Sequence, residues 1–174
     1  MPLATLDIRV VRGPVRYAAL ESFPSPAGAE CVFLGRTRAE THPVHGDLAS
    51  LDYHAYESMA ESVLHELARQ AVAQHGCLFV RLHHALGPVA VGQASVLVQA
   101  VCGHRDAAFA SCRWLIDALK SSTPIWKREV WADGTTWAPG QSPPGGGTLR
   151  TQPPTSAPPA GGSAPHAKAK EPSA

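Results

Sequence analysis

Along the first part of the chain, apolar positions recur with period two. Leu6, Ile8 and Val10 alternate with Asp7 and Arg9, the pattern of a strand with one buried face. Cys31 to Leu34 is a compact apolar run, and it and Leu51 to Tyr56 predict two further strands. The period then lengthens. Ala60, Val63, Leu64, Leu67, Ala71 and Val72 share one helical face, and Gly76 suits a helix C-cap, so the spacing predicts an amphipathic helix over Ser58 to His75 packed on a sheet.

Two more strands are expected from Cys77 to His83, alternating through Leu78, Val80 and Leu82, and from Gln93 to Val101. Gly87-Pro88 is expected to turn the chain between them, giving an antiparallel pair. A second helix is predicted from about Asp106 to Ser121, because Phe109, Cys112, Ile116 and Leu119 recur at helical spacing and Pro124 forbids continuation. A strand from Ile125 to Trp131 follows. Strands in runs broken by two helices predict an α+β fold, with helices covering one face of a mostly antiparallel sheet.

Beyond Trp137 the pattern stops. The 36 residues from Pro139 to Ala174 hold 9 of the 16 prolines and 6 of the 15 glycines, with almost nothing bulky to bury. Residues 1–138 are therefore read as one domain and 139–174 as a disordered Pro/Gly-rich tail. A content of 44% hydrophobic and 17% charged residues fits a single core. A formal net charge of +1 offers no broad basic face for nucleic acid, so any anion site must be local. Cys31, Cys77, Cys102 and Cys112 form no CxxC pair and read as reduced, mostly buried thiols. The first sixteen residues lack the apolar stretch of a signal peptide and nowhere do 18 apolar residues run together, so a cytoplasmic protein with no membrane association is expected.

Lysine carries the first chemical signal. Residues 1–140 contain ten arginines but only two lysines, Lys120 and Lys127, flanking the Ser121-Ser122-Thr123-Pro124 turn. A helix-to-strand reversal there permits both ammonium groups to share a pocket. Arginine stays charged, whereas a lysine that is desolvated or close to other cations can become a neutral amine able to carry protons. The plainer alternative is a Lys120 that complements the helix C-terminus and an exposed Lys127.

Gly103-His104-Arg105-Asp106 lies where a strand gives way to a helix, where free backbone N–H groups favour an anion. Phe33-Leu34-Gly35-Arg36-Thr37-Arg38 runs a strand into two arginines, as if to place guanidinium groups at a sheet rim. Each signal alone also fits an ordinary loop. His42, His45, His54, His83 and His84 lack the spacing of a catalytic zinc site and read as neutral, surface or half-buried side chains, so no metal is expected.

Taken together and in this order, FLGRTR at 33–38, LDYHAYESMAE at 51–61, GHRDAAF at 103–109 and LKSSTPIWKRE at 119–129 resemble the large, catalytic subunit of molybdopterin synthase, the MoaE family. The resemblance covers about Leu6 to Trp137. It implies an α/β hammerhead type of fold and a homodimer whose two ends each receive a small ubiquitin-like subunit, a heterotetramer. That partner ends in a Gly-Gly thiocarboxylate, and its sulfur converts cyclic pyranopterin monophosphate (precursor Z) into the dithiolene of molybdopterin, with no cofactor bound by this chain.

By the same resemblance, Lys120 matches the lysine beside the incoming thiocarboxylate and Lys127 the second lysine of that pocket. Arg38, His104 and Arg105 match pterin- and phosphate-binding positions, Phe33 an aromatic of the pocket wall, and Arg128 extends the cationic surface. Two positions depart from the family pattern: His54 stands where glutamate is common, and Gln141 near where some members place a basic residue serving the neighbouring subunit. The alternative function is a non-catalytic module that binds a ubiquitin-like Gly-Gly tail.

Overall fold

In the computed structural model residues 4–137 are described, and the expected tail lies outside the described residues. The elements in chain order are β1 (Thr5–Arg12), β2 (Ala29–Arg36), β3 (Thr41–His42), β4 (Gly46–Ala55), α1 (Glu57–His75), β5 (Phe79–Ala90), β6 (Ala94–Cys102), α2 (Arg105–Ser122), β7 (Ile125–Trp131) and β8 (Gly134–Trp137). The sheet runs β2-β6-β5-β4-β7-β8, with β1 beside β5 and β3 beside β4. Only the β1–β5 pairing is parallel among the described strands, so the α+β arrangement with a mostly antiparallel sheet is the one that forms.

Gly87-Pro88 does not turn the chain. β5 continues to Ala90, and the reversal comes at Val91-Gly92. Leu86 is the last residue of β5 paired with β1, and Gly87 is the first paired with β4, opposite Tyr53. A glycine at φ 75° bends the strand as it changes partner, which a side chain there would oppose. Pro88, exposed opposite Asp52, is tolerated at this irregular point.

Both helices cover one face of the sheet. α1 ends where Gly76, at φ 66°, donates its N–H to the Val72 carbonyl at 3.0 Å, the cap its sequence suggests. α1 buries Ala60, Leu64, Leu67, Ala68 and Ala71, and α2 buries Ala108, Ser111, Cys112, Leu115, Ile116 and Leu119. Between them and the strands lie Val80, Leu82, Val98 and Ala100, all without solvent exposure. Burying each leucine or valine side chain there stabilises the fold by roughly 1.5–3 kcal/mol. Phe109, expected in the α2 stripe, is instead 63% exposed. At about 100° per residue it is turned a quarter of the way round the helix from Ala108, which lies near the middle of the buried face.

The four cysteines are free thiols, three of them buried and Cys31 half-buried. Cys77 Sγ lies 2.9 Å from Ser111 Oγ and 3.5 Å from Cys102 Sγ. Burial, helped by neighbouring Cys77, pushes the Cys102 thiol up to about 12, and burial likewise raises Cys112.

On the opposite face of the sheet, Asp7 gathers Arg81 at 2.7 Å, Arg9 at 2.9 Å and His83 at 3.0 Å. Arg81 also donates to Gln99 Oε1 at 2.8 Å, and Gln99 in turn donates to Glu30. This network stitches β1, β5, β6 and β2 together from behind. Burial alone would raise the Asp7 carboxyl, but hydrogen bonds from His83 and Arg81 and the nearby positive charge outweigh it and hold the group at about 2.

Candidate active site

The turn between α2 and β7 does what the two lysines require. Thr123 donates its N–H to Leu119 O at 3.1 Å, closing the last turn of α2, and Pro124 prevents another. β7 then returns antiparallel to β4, with Ile125 opposite Ala55 and Lys127 opposite Tyr53. Strand alternation places Leu51 and Tyr53 of β4 on the same face as Ile125 and Lys127 of β7. That face closes one side of a cavity of about 450 Å³, whose lining includes Lys120, Lys127, Phe33 and Arg38. The volume falls in the range of small-molecule sites.

Phe33 and Arg38 arrive from β2 and the segment that follows it. Pairing with β6 shifts register between Gly35 and Arg36. A Cβ on Gly35 would stand 2.5 Å from Val96 Cγ1 and 3.3 Å from the Phe33 ring, so only glycine permits this close approach. Thr37 is buried and pins the segment: its N–H donates to Gln93 O at 3.0 Å, its hydroxyl to Val89 O at 3.3 Å, and its carbonyl accepts from Gly92 N at 2.8 Å. Arg38, next along, is exposed and paired with Glu40 at 2.8 Å. Arg36 donates to Gly92 O at 3.0 Å and also borders the cavity.

Beneath these cations lies a polar floor that the sequence reading did not pick out: Tyr53, His84 and Ser95. Tyr53 donates its hydroxyl to Ser95 Oγ at 3.1 Å, and burial raises the phenol, so it remains a neutral donor. The His84 ring meets Tyr53 edge-on at 5.1 Å between centroids, and His84 Nδ1 lies 2.8 Å from the Ala85 carbonyl. Only 6% exposed, His84 departs from the surface or half-buried role expected of it. The signal was its parity, since it continues the buried series of Val80 and Leu82.

Three of the expected residues are not in this cavity. Arg128 lies on the other face of β7 from Lys127, where its guanidinium meets Asp52 at 3.0 Å. His54 shares that other face, away from the cavity, 3.1 Å from Asp52 and stacked on Trp126. His104 and Arg105 are exposed at the opposite end of α2 from Lys120. At about 1.5 Å rise per residue, Arg105 and Lys120 stand about 22 Å apart along the helix axis. Arg105 meets only Asp106 among the charged groups of the described residues, at 3.8 Å with both side chains largely solvated. Gln141 lies outside the described residues.

The cavity therefore sets Arg36, Arg38, Lys120 and Lys127 against a single carboxylate, Glu40. Such a surplus of donors suits an anionic ligand. Two lysines at its wall add groups able to exchange protons, whereas neither arginine can. Fold and site together define an α+β protein with a cationic pocket suited to an anionic small molecule.

Comparison with known proteins narrows this. The sequence pattern of the family described as "MoaE protein" matches residues 10–122. A molybdopterin synthase catalytic subunit from Nostoc sp. is 44% identical over 117 residues, spanning 65% of this chain and 68% of the relative. One from Emericella nidulans is 36% identical over 138 residues, spanning 77% of this chain and 69% of the relative. The crystal structure of molybdopterin synthase from Staphylococcus aureus superimposes with a TM-score of 0.64 at 28% identity, covering 79% of this chain and 98% of that one. The chain belongs to the MoaE family, the catalytic subunits of molybdopterin synthase, and its place is in molybdenum-cofactor biosynthesis.

Proposed function

We propose that this chain transfers sulfur from the thiocarboxylated C-terminus of a small ubiquitin-like subunit to cyclic pyranopterin monophosphate, twice, to form the molybdopterin dithiolene. The observation that carries the reading is the meeting of Lys120 and Lys127 with Phe33 and Arg38 in one cavity. In each round sulfur leaves the partner's terminal acyl carbon for a substrate carbon, where the new carbon–sulfur bond replaces a carbon–oxygen bond whose oxygen leaves as water or stays on the opened cyclic phosphate. Oxygen from water takes the place of sulfur on the acyl carbon. The lysines stabilise the oxyanion formed at that acyl carbon and move protons to and from the reacting groups, while Arg38 holds the anionic end of the substrate. No cofactor is required of this chain, and the reaction belongs in the cytoplasm.

The partner is a small subunit, in keeping with the family's role as one subunit of a synthase. His104 and Arg105 serve the site of a second copy of this chain. Their distance from Lys120 along α2 supports this, because an antiparallel pair of α2 helices related by two-fold symmetry brings the start of one beside the end of the other. Phe109, 63% exposed on α2, offers such a pairing an apolar side chain. With one small subunit per catalytic chain the assembly is a heterotetramer.

Mixing two variants tests the shared site. Lys120→Ala and Arg105→Ala homodimers are each expected to be nearly inactive. After dissociation and reassembly together, mixed dimers contain one site with both native residues, so activity returns. If each site drew both residues from a single chain, mixing would restore nothing.

A further inference from the structure

Four cations of the cavity, Arg36, Arg38, Lys120 and Lys127, can only donate hydrogen bonds. A substrate that is anionic at one end and a nitrogen heterocycle at the other presents donors too, from its amino group and ring N–H. Something in the cavity must accept them. Glu40 accepts from Arg38 at the rim, and Tyr53 and Ser95 are bonded to each other on the floor. The Thr123 hydroxyl, buried without a partner among the described residues, can donate as well as accept. Among the lining side chains His84 is the one that offers a ring nitrogen able to act purely as an acceptor.

The tautomer of His84 follows from its surroundings. A carbonyl oxygen only accepts, so the Nδ1 that lies 2.8 Å from Ala85 O carries the proton. Burial lowers the imidazole's affinity for a second proton, the Ala85 carbonyl opposing this in part, so the ring is neutral. Nε2 then bears a lone pair. Among the described residues no donor reaches Nε2, and the 6% of His84 that stays accessible belongs to a side chain lining the cavity.

We propose that His84 Nε2 is the acceptor that recognises the N–H edge of the substrate's fused pyrimidinone ring, making His84 a substrate-binding residue of the cavity floor. Tyr53 holds the imidazole in place edge-on, and the Nδ1 bond fixes its rotation. The cationic rim thus holds charge while the neutral floor distinguishes the ring. This rests on the sulfur-transfer reading for the identity of the substrate.

The experiment compares wild type, His84→Phe and His84→Gln in two measurements. Fluorescence titration with a pterin monophosphate reads ring binding without turnover, and steady-state kinetics with thiocarboxylated small subunit read KM and kcat. His84→Phe keeps ring volume but has no acceptor; it is expected to weaken pterin binding and raise KM for the pterin substrate about tenfold, with kcat and KM for the small subunit little changed. His84→Gln, which retains an acceptor oxygen, recovers most of the loss. Equal pterin affinity in wild type and a folded His84→Phe would overturn the proposal, as would a parallel loss of kcat, both KM values and thermal stability in both variants, the mark of a core residue alone. His84-dependent pterin binding without turnover by wild type would count against sulfur transfer and leave this assignment standing.

Discussion

Tyr53 and Lys127 stand directly opposite one another across β4 and β7, and both face the cavity that Lys120 also lines. The register leaves no freedom to replace Lys127 by its neighbour, since Arg128 points the other way and is held by Asp52. Lys127→Ala is expected to lower turnover by about a hundredfold or more while the small subunit still binds. Lys127→Arg keeps the charge but not an amine that can release a proton, so it should recover binding of the anionic substrate and little of kcat. Steady-state kinetics of both variants check this.

The Asp7 cluster makes stability depend on pH in a definite direction. Its folded value of about 2 lies below the usual carboxylate range, so its contribution is fully present above about pH 4 and is lost as pH falls towards 2. Asp7→Asn is expected to lower the unfolding free energy at pH 7 by on the order of 1 kcal/mol, after allowance for solvent screening, and the difference from wild type should shrink below pH 4. Urea denaturation at several pH values measures it.

Gly28 controls where α2 begins. Its N–H donates to Cys102 O at 3.0 Å, and a Cβ placed on it would lie 2.3 Å from the Gly103 carbonyl oxygen, immediately before His104. Gly28→Ala must displace backbone, so a loss of about 1–3 kcal/mol in stability is expected. Crystallography of the variant should show residues 103–105 displaced and Lys120 in place.

The thiols should react in an order set by burial. Cys31 is half-buried, whereas Cys77, Cys102 and Cys112 lie in the core with the last two raised well above the ordinary thiol range. Iodoacetamide under native conditions is expected to label Cys31 first, and the other three only on unfolding. Peptide mass spectrometry after timed quenching distinguishes them.

How much of this was legible in the sequence varies with the physical cause. Long periodic segments were readable: the helix expected over Ser58 to His75 forms over Glu57–His75, and β7 has the bounds its pattern predicts. β3 and β8, two and four residues long, are too short to display a period and exist because β4 and β7 offer them edges. Gly87-Pro88 carries turn chemistry, yet continued pairing with β4 outweighed it. At the site, the succession of a helix, a proline and a strand permitted Lys120 and Lys127 to share a pocket, and both line one cavity. Strand parity already set Arg128 on the face opposite Lys127 and His84 in series with Val80 and Leu82, but a cation beside a lysine and a histidine among apolar residues drew the reading away from it. The distance between Arg105 and Lys120 was implicit in the length of α2, and it gains meaning only through the proposed pairing of two copies of the chain.

Sulfur transfer in this cavity is proposed to run through Lys120. Anaerobic conversion of cyclic pyranopterin monophosphate, with thiocarboxylated small subunit and wild type or Lys120→Ala side by side, tests it most directly. Dithiolene product from wild type, with the variant reduced at least a hundredfold and still binding the small subunit, is the result expected. Full conversion by Lys120→Ala would contradict the assigned role of the lysine, and no conversion by wild type with the partner bound would point instead to a non-catalytic module for the partner's Gly-Gly tail.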